Sequence, residues 1–294
     1  MLIWQCPVCS KPLAELDARL GCENNHSFDR AKQGYFNLLL ANQKRSAEPG
    51  DSKAMMQARR EFLNTGLYRP LLTQLQQWLV NKTDLKTPVN LLDCGSGEGY
   101  YLAALVADTD VYGYGIDISK VACSMAARAQ QITQLNCSSA INIHYAVASN
   151  FNLPIQSDSV DVVLRLFAPS DDAEVCRVLN EGGEFWRVSP GPDHLTQLKA
   201  QLYEQSQPHD MPAIPNGMRL LRTTMVRFDL QLSSAGQIQQ LLGMTPFVWQ
   251  APKQKQEDLQ KLLSLDVTAE FVVESFVVNG PDITKPKPSG FTFG

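Results

Sequence analysis

The sequence predicts an α/β protein: a mostly parallel sheet covered by helices on both faces, preceded by a small metal-binding module. Three observations carry this expectation. Short apolar runs alternate with helical stretches from about residue 88 onward. A glycine loop, "LLDCGSGEGYY" (91–101), joins the first such run to the first helix of the series. The opening segment holds three cysteines and a histidine spaced Cys6-x2-Cys9-x12-Cys22-x3-His26.

The opening module comes first in the chain. A close cysteine pair, a dozen-residue spacer and a Cys/His pair match the four ligands of a tetrahedral structural Zn2+, and "CPVCSKPL" reads as a knuckle turn around metal-bound sulfur. A segment of this size cannot bury enough apolar surface to fold unaided, so a metal would supply the missing stability. A redox CxxC pair would leave Cys22 and His26 unexplained. The expected module spans residues 1–36, with Cys6, Cys9, Cys22 and His26 as ligands.

Residues 37–86 read as a basic helical connector. Asp51 or Ser52 caps a helix in which Met55, Met56, Arg59, Phe62 and Leu63 recur at helical spacing; Gly66 interrupts it, and a second helix runs from about Pro70 to Val80. Between residues 30 and 69 eight basic residues face three acidic ones, a local charge of +5 in a chain whose net charge is -4. With that acidic balance no global field draws the chain to nucleic acid, so any RNA contact is expected on this segment, through Lys44, Arg45, Arg59 and Arg60. A solvated helix face is the competing reading.

Strands are then predicted at 89–94, 111–117, 141–147, 160–167 and 184–189, with helices near 99–107, 119–135, 171–179 and 193–206. Two later strands, near 223–231 and 269–278, with helices between them, complete the sheet. The domain is assigned to residues 87–278, and the Pro- and Gly-rich tail 279–294 is expected to be disordered. The four cysteines outside the module (Cys94, Cys123, Cys137, Cys176) lie singly, which favours a reducing compartment. No apolar run is long enough to span a bilayer, and Met1-Leu2-Ile3-Trp4 is too short for a leader's apolar region, so a cytoplasmic protein is expected.

The loop decides the cofactor class. A dinucleotide fingerprint counted from Gly95 and Gly97 needs its third glycine at position 100, which is Tyr100. The chain instead reads Asp93-x-Gly95-x-Gly97-x-Gly99, and a second carboxylate, Asp117, closes the next strand where it can accept both ribose hydroxyls of an adenosine. This pattern resembles the first motif of class I S-adenosylmethionine (SAM) methyltransferases, whose Rossmann-like sheet it implies. NAD is the weaker alternative. Ser149 or Asn150, in "ASNFNLPIQSDSVDVVLRLFAP", resembles the residue that reads the adenine edge.

Taken together, "CPVC", "FDRAKQGYFNLL", "KRSAEPGDSKAMMQARREFLNTGLYRPL", "CGSGEGYY", "GPDHLTQLK" and "MTPFVW" resemble the RlmA family of large-subunit (23S) rRNA guanine-N1 methyltransferases over about residues 5–278. They sit nearer its Gram-negative class, which implies nucleotide 745 rather than 748. The resemblance implies the zinc ligands already named, cofactor contacts at Gly97, Glu98, Tyr68 and His194, and a homodimer acting on 23S rRNA or the assembling large ribosomal subunit. Arg165 and Phe167, at the end of the fourth predicted strand, are candidates for the acceptor pocket; no general base is identified. A methyltransferase for another RNA or a small metabolite, and a non-catalytic zinc RNA-binding adaptor, are the rival readings.

Overall fold

A computed structural model describes residues 2–43, 50–83, 88–136, 142–204, 208–247 and 252–280. Three short antiparallel strands, β1 (Ala14–Leu16), β2 (Arg19–Gly21) and β3 (Ser27–Asp29), form a separate three-stranded sheet in the order β1-β2-β3. Two helices follow, α1 (Lys53–Asn64) and α2 (Arg69–Thr83). Ser52 caps α1, its side chain accepting from the Met55 amide.

The main sheet has eight strands in the order β10-β11-β9-β8-β5-β6-β7-β4. They are β4 (Phe36–Asn37), β5 (Val89–Cys94), β6 (Val111–Asp117), β7 (Ile143–Val147), β8 (Val160–Leu166), β9 (Leu179–Pro190), β10 (Met218–Leu232) and β11 (Leu265–Val278). Strands β4 to β9 pair in parallel, and β11 alone runs against its neighbours. Helices α3 (Tyr100–Val106), α4 (Lys120–Asn136), α5 (Asp172–Val178), α6 (Thr196–Leu202), α7 (Ala235–Gly243) and α8 (Lys253–Gln260) complete the chain.

The central strands are buried on both faces, which is why they read as nearly continuous apolar runs. Leu91, Val162, Leu164 and Trp186 point into the larger core with α1 to α4 and α6 to α8. Leu92, Tyr114, Val163 and Phe185 point to the other face, which α5 and the metal module cover. There is no helix between β7 and β8. The loop 148–159 lies directly under the module, with the Gln5 amide donating to Pro154 O (2.8 Å), the Gln156 amide donating to Ile3 O (2.9 Å), and Trp4 bridged to Ile155. Trp4 is 0% exposed and meets Tyr114 edge-on at 5.4 Å.

Two features differ from the sequence expectation. Residues 36–37, at the junction of the expected module and connector, form a strand that extends the main sheet beyond β7. Strands β10 and β11 run for 15 and 14 residues, longer than the stretches expected. Most of the expected tail, residues 281–294, lies outside the described residues.

Candidate active site

The four ligand candidates come together. The Sγ atoms of Cys6, Cys9 and Cys22 and a ring nitrogen of His26 lie within 4.8 Å of one another. Cys9 Sγ is 3.7 Å from Cys22 Sγ, and His26 Nδ1 is 3.4 Å from Cys22 Sγ and 3.6 Å from Cys6 Sγ. A tetrahedral ion with Zn–S bonds of about 2.3 Å sets its ligand atoms roughly 3.7 Å apart, so these edges fit Zn2+. The backbone supports the thiolates: amides of Val8 and Cys9 face the Cys6 sulfur, and the Lys11 amide, the largest influence, holds the Cys9 thiol down to about 6. Ser10 and Asn25 take positive φ values of 59° and 61°, closing the two turns around the metal position.

The second site is a cavity of about 580 Å³ at the carboxyl ends of the strands, beside the point where the order reverses between β5 and β8. Tyr68, Asp93, Gly95, Glu98, Asp117, Ser149, Asn150, Phe167 and His194 all line it. The glycine loop is pinned by the amides of Gly95 and Ser96, both donating to Ile116 O at 2.9 Å. Asp117 accepts from the Gly97 amide through Oδ2 (2.9 Å) and from the Ser119 amide through Oδ1 (2.7 Å).

Titratable groups gather at the floor. Asp93 is buried, and burial, with Asp117 adding to it, pushes its carboxyl up to about 8. Burial also raises Asp117, against the amides of Ser119 and Gly97. His194 Nδ1 accepts from the Glu270 amide (3.2 Å), so the proton of the neutral ring sits on Nε2; burial holds this imidazole down to about 3.

Nine buried side-chain polar atoms have no hydrogen-bond partner among the described residues. Six of them belong to residues of this cavity: Tyr68 Oη, Asp93 Oδ1, Ser96 Oγ, Tyr101 Oη, Asn150 Oδ1 and His209 Nε2. Orphaned buried polar groups are costly, and their clustering marks a ligand's place. The five oxygens among them, gathered around the Asp93 carboxyl, fit the zwitterionic end and the adenosine of SAM.

Several expected residues stand elsewhere. Gly97 and Gly99 do not line the cavity. A Cβ on Gly99 would lie 2.6 Å from Tyr145 Oη, so that glycine serves packing against β7, and one on Gly97 would lie 3.3 Å from Arg59 Nη1. Arg165 falls on the wrong face. The two-residue alternation of β8 puts it with Val163, where Nη1 donates to Ser170 Oγ (2.6 Å) and the guanidinium lies over Phe185.

Arg59 and Arg60 do not form an open phosphate-binding face. Arg59 lines the cavity and pairs with Asp51 (2.9 Å), and Arg60 pairs with Glu98 (3.0 Å). Lys44 and Arg45 lie outside the described residues. Sequence reasoning missed Ser96, Tyr101 and His209; the first two adjoin or interrupt the glycine loop and could have been found there.

Gly97→Val is expected to weaken SAM binding at least tenfold, measured by calorimetry. The causes are crowding against Arg59 of α1, whose Nη1 would stand 3.3 Å from the new Cβ, and a β-branched residue at φ 57°, a conformation costing about 1–2 kcal/mol.

Comparison with known proteins follows the same division of the chain. Residues 4–47 match the N-terminal zinc ribbon described for RlmA, and residues 85–240, more than half of the chain, match a methyltransferase domain. A Streptomyces fradiae protein named 23S rRNA (guanine(748)-N(1))-methyltransferase is 34% identical, over 75% of this chain and 79% of its own length. YxjB of Bacillus subtilis, provisionally named a 23S rRNA (guanine-N(1)-)-methyltransferase, is 28% identical over 91% of this chain and 94% of its own. Among solved structures, a SAM-dependent methyltransferase from Thiobacillus denitrificans in complex with S-adenosyl-L-homocysteine is 16% identical with a TM-score of 0.43, covering 71% of this chain and 90% of that one. With the ribbon description falling on the segment that holds the four ligands and the methyltransferase description on the segment that builds the cavity, the chain belongs to the RlmA family of zinc-containing, SAM-dependent methyltransferases.

Proposed function

We propose that this protein methylates N1 of a guanine in a hairpin of 23S rRNA. The observation that carries the reading is the convergence of six orphaned polar atoms on one cavity whose mouth presents Phe167, half exposed and held at a positive φ of 56°. A bulky side chain in that backbone region is strained, and strain of this kind gathers at sites of function.

Asp93 is placed to take the cofactor's ammonium, Tyr68 and Tyr101 hydroxyls its carboxylate, Asp117 the ribose, and Ser149 and Asn150 the adenine edge. The bound cofactor supplies an electrophilic methyl group. Guanine N1 lies in the Watson-Crick edge, so the base must be unpaired or splayed out to reach the cavity. Phe167, whose ring centroid is 5.7 Å from that of Phe271, offers a face for the displaced base. Helix α1 and the turn before α2 cover the cofactor side through Met56, Arg59 and Tyr68, which leaves the side near Phe167 for the acceptor.

Of the two nucleotides, the reading keeps 745, on the nearer resemblance to the Gram-negative class; the Streptomyces fradiae relative is named for 748. A homodimer acting on the rRNA or on the assembling large subunit belongs to the same proposal, with Lys44 and Arg45 as phosphate contacts. The test is mass spectrometry of 23S rRNA from a strain lacking the protein, with purified protein, SAM and protein-free 23S rRNA in parallel. Loss of one N1-methylguanosine, restored at the same position in vitro, is expected. Unaltered rRNA guanines, or activity on a small metabolite alone, would overturn the reading.

A further inference from the structure

We infer that His209 takes the proton from guanine N1. The inference rests on the guanine-N1 reading above, which leaves that proton without an acceptor.

The other basic groups around the cavity are already committed. Both oxygens of Asp117 accept backbone amides, and Glu98 holds Arg60. Asp93 sits at the floor, at the end of β5. His194 uses its one acceptor nitrogen on the Glu270 amide and can only donate. Of these groups only Asp93 also keeps an unpartnered atom, and the reading above gives its carboxyl to the cofactor's ammonium; His209 Nε2 has no hydrogen-bond partner among the described residues although its ring lines the cavity.

A row of rings links it to the acceptor side of the cavity. Phe167, Phe271, His194 and His209 form a row of rings, with successive centroids 5.7, 4.6 and 6.2 Å apart. The row runs from the exposed aromatic at the mouth to the free imidazole.

The segment carrying His209 is fixed in a way its irregular backbone does not by itself explain. The His209 amide donates to Pro192 O (3.2 Å). Arg187, buried and paired with Glu274, donates to Ala213 O (2.7 Å) and Pro212 O (3.1 Å). A buried ion pair costs several kcal/mol to desolvate, and here it clamps the loop that presents the imidazole.

The groups facing His209 are His194 across the row, Lys199 on α6 with Asp193 beside it, and Asp210, which is exposed and next in the chain. Glu270 lies behind His194 and is held by Arg227. Burial and the Lys199 charge keep His209 below the usual imidazole value, in the neutral form a base requires.

The step balances: the N1–H bond breaks and its proton passes to His209 Nε2, N1 bonds to the methyl carbon, and the carbon–sulfur bond breaks to leave a neutral thioether. N1 keeps its valence, and the imidazolium returns its proton to solvent.

The test compares wild type with His209→Ala and His209→Gln on protein-free 23S rRNA at saturating SAM, alongside calorimetric SAM affinity and the NMR titration of the His209 ring. The expected results are SAM affinity unchanged within about twofold, a rate at pH 7 lowered about 100-fold, and a deficit that narrows toward alkaline pH as N1 ionises unaided. Added imidazole should partly restore His209→Ala. Loss of SAM affinity with an unchanged saturated rate, a deficit equal at every pH, or a ring that stays protonated at pH 7 would overturn the assignment. If wild type itself forms no N1-methylguanosine, the guanine reading falls and His209 with it; wild-type product with full variant activity removes His209 alone.

Discussion

Cys9→Ser is expected to release the zinc and to lower the melting temperature by about 10 °C, while SAM affinity falls less than tenfold. The ribbon is not a tethered head. Trp4, Ile3, Leu13 and Leu20 share one core with Leu92, Tyr114, Ile116 and Val163 of the main sheet. Losing the ribbon's shape withdraws Trp4 from that core, and deleting a buried tryptophan costs about 3–5 kcal/mol. In a domain of this size each kcal/mol shifts the melting point by about 2–4 °C. The cavity is built from strand ends and the opposite core, so cofactor affinity changes through Ser149, Asn150 and Phe151, near the start of the loop under the ribbon. RNA affinity should fall with the metal. Elemental analysis and calorimetry on one preparation check this; full metal content in the variant, or an unchanged melting temperature, would count against it.

Asp93→Asn should weaken SAM binding by 100-fold or more. The wild-type carboxyl is held near 8 by burial first and Asp117 second, so at pH 7 it is mostly protonated before the cofactor arrives. A bound ammonium favours the carboxylate, and binding therefore releases a proton below pH 8. Affinity should rise with pH between 6 and 8, by at most tenfold per unit, and level off above. In the variant the slope disappears. Removing one partner of a buried ion pair costs about 3–5 kcal/mol, which sets the size of the loss. The same elevated value lowers the stability of the cofactor-free fold as pH rises: the contribution is complete below about pH 4 and lost through pH 8. Calorimetry in buffers of different ionisation heat reads the proton directly, and a pH-independent affinity would refute the role of Asp93.

Much of the sheet was legible because its strands are buried on both faces and its loop is a run of alternating glycines. The metal ligands were legible because all four lie within 21 residues. What stayed hidden is long-range. Strand β4 has two residues, too few for any periodicity, and its partner β7 is more than a hundred positions away. Arg165 sits on a strand whose two faces are both buried, so apolar alternation gave no parity to place it. Arg59 and Arg60 recur in a basic stretch, yet their carboxylate partners, Asp51 and Glu98, were needed to see that they close a cavity instead of facing phosphate. His209 has no local signature, because a loop after α6 brings it to the site.

The ribbon seated where a crossover helix is missing also sets an order of events during synthesis. Residues 2–30 leave the ribosome before the sheet, and Tyr114, Pro154 and Ile155, on which Trp4 and Gln5 rest, are made more than a hundred residues after them. At about 5–20 residues per second that interval is on the order of ten seconds. Throughout it the newborn ribbon must hold its shape by its ion, with the Trp4 indole uncovered, until the nascent sheet arrives to receive it.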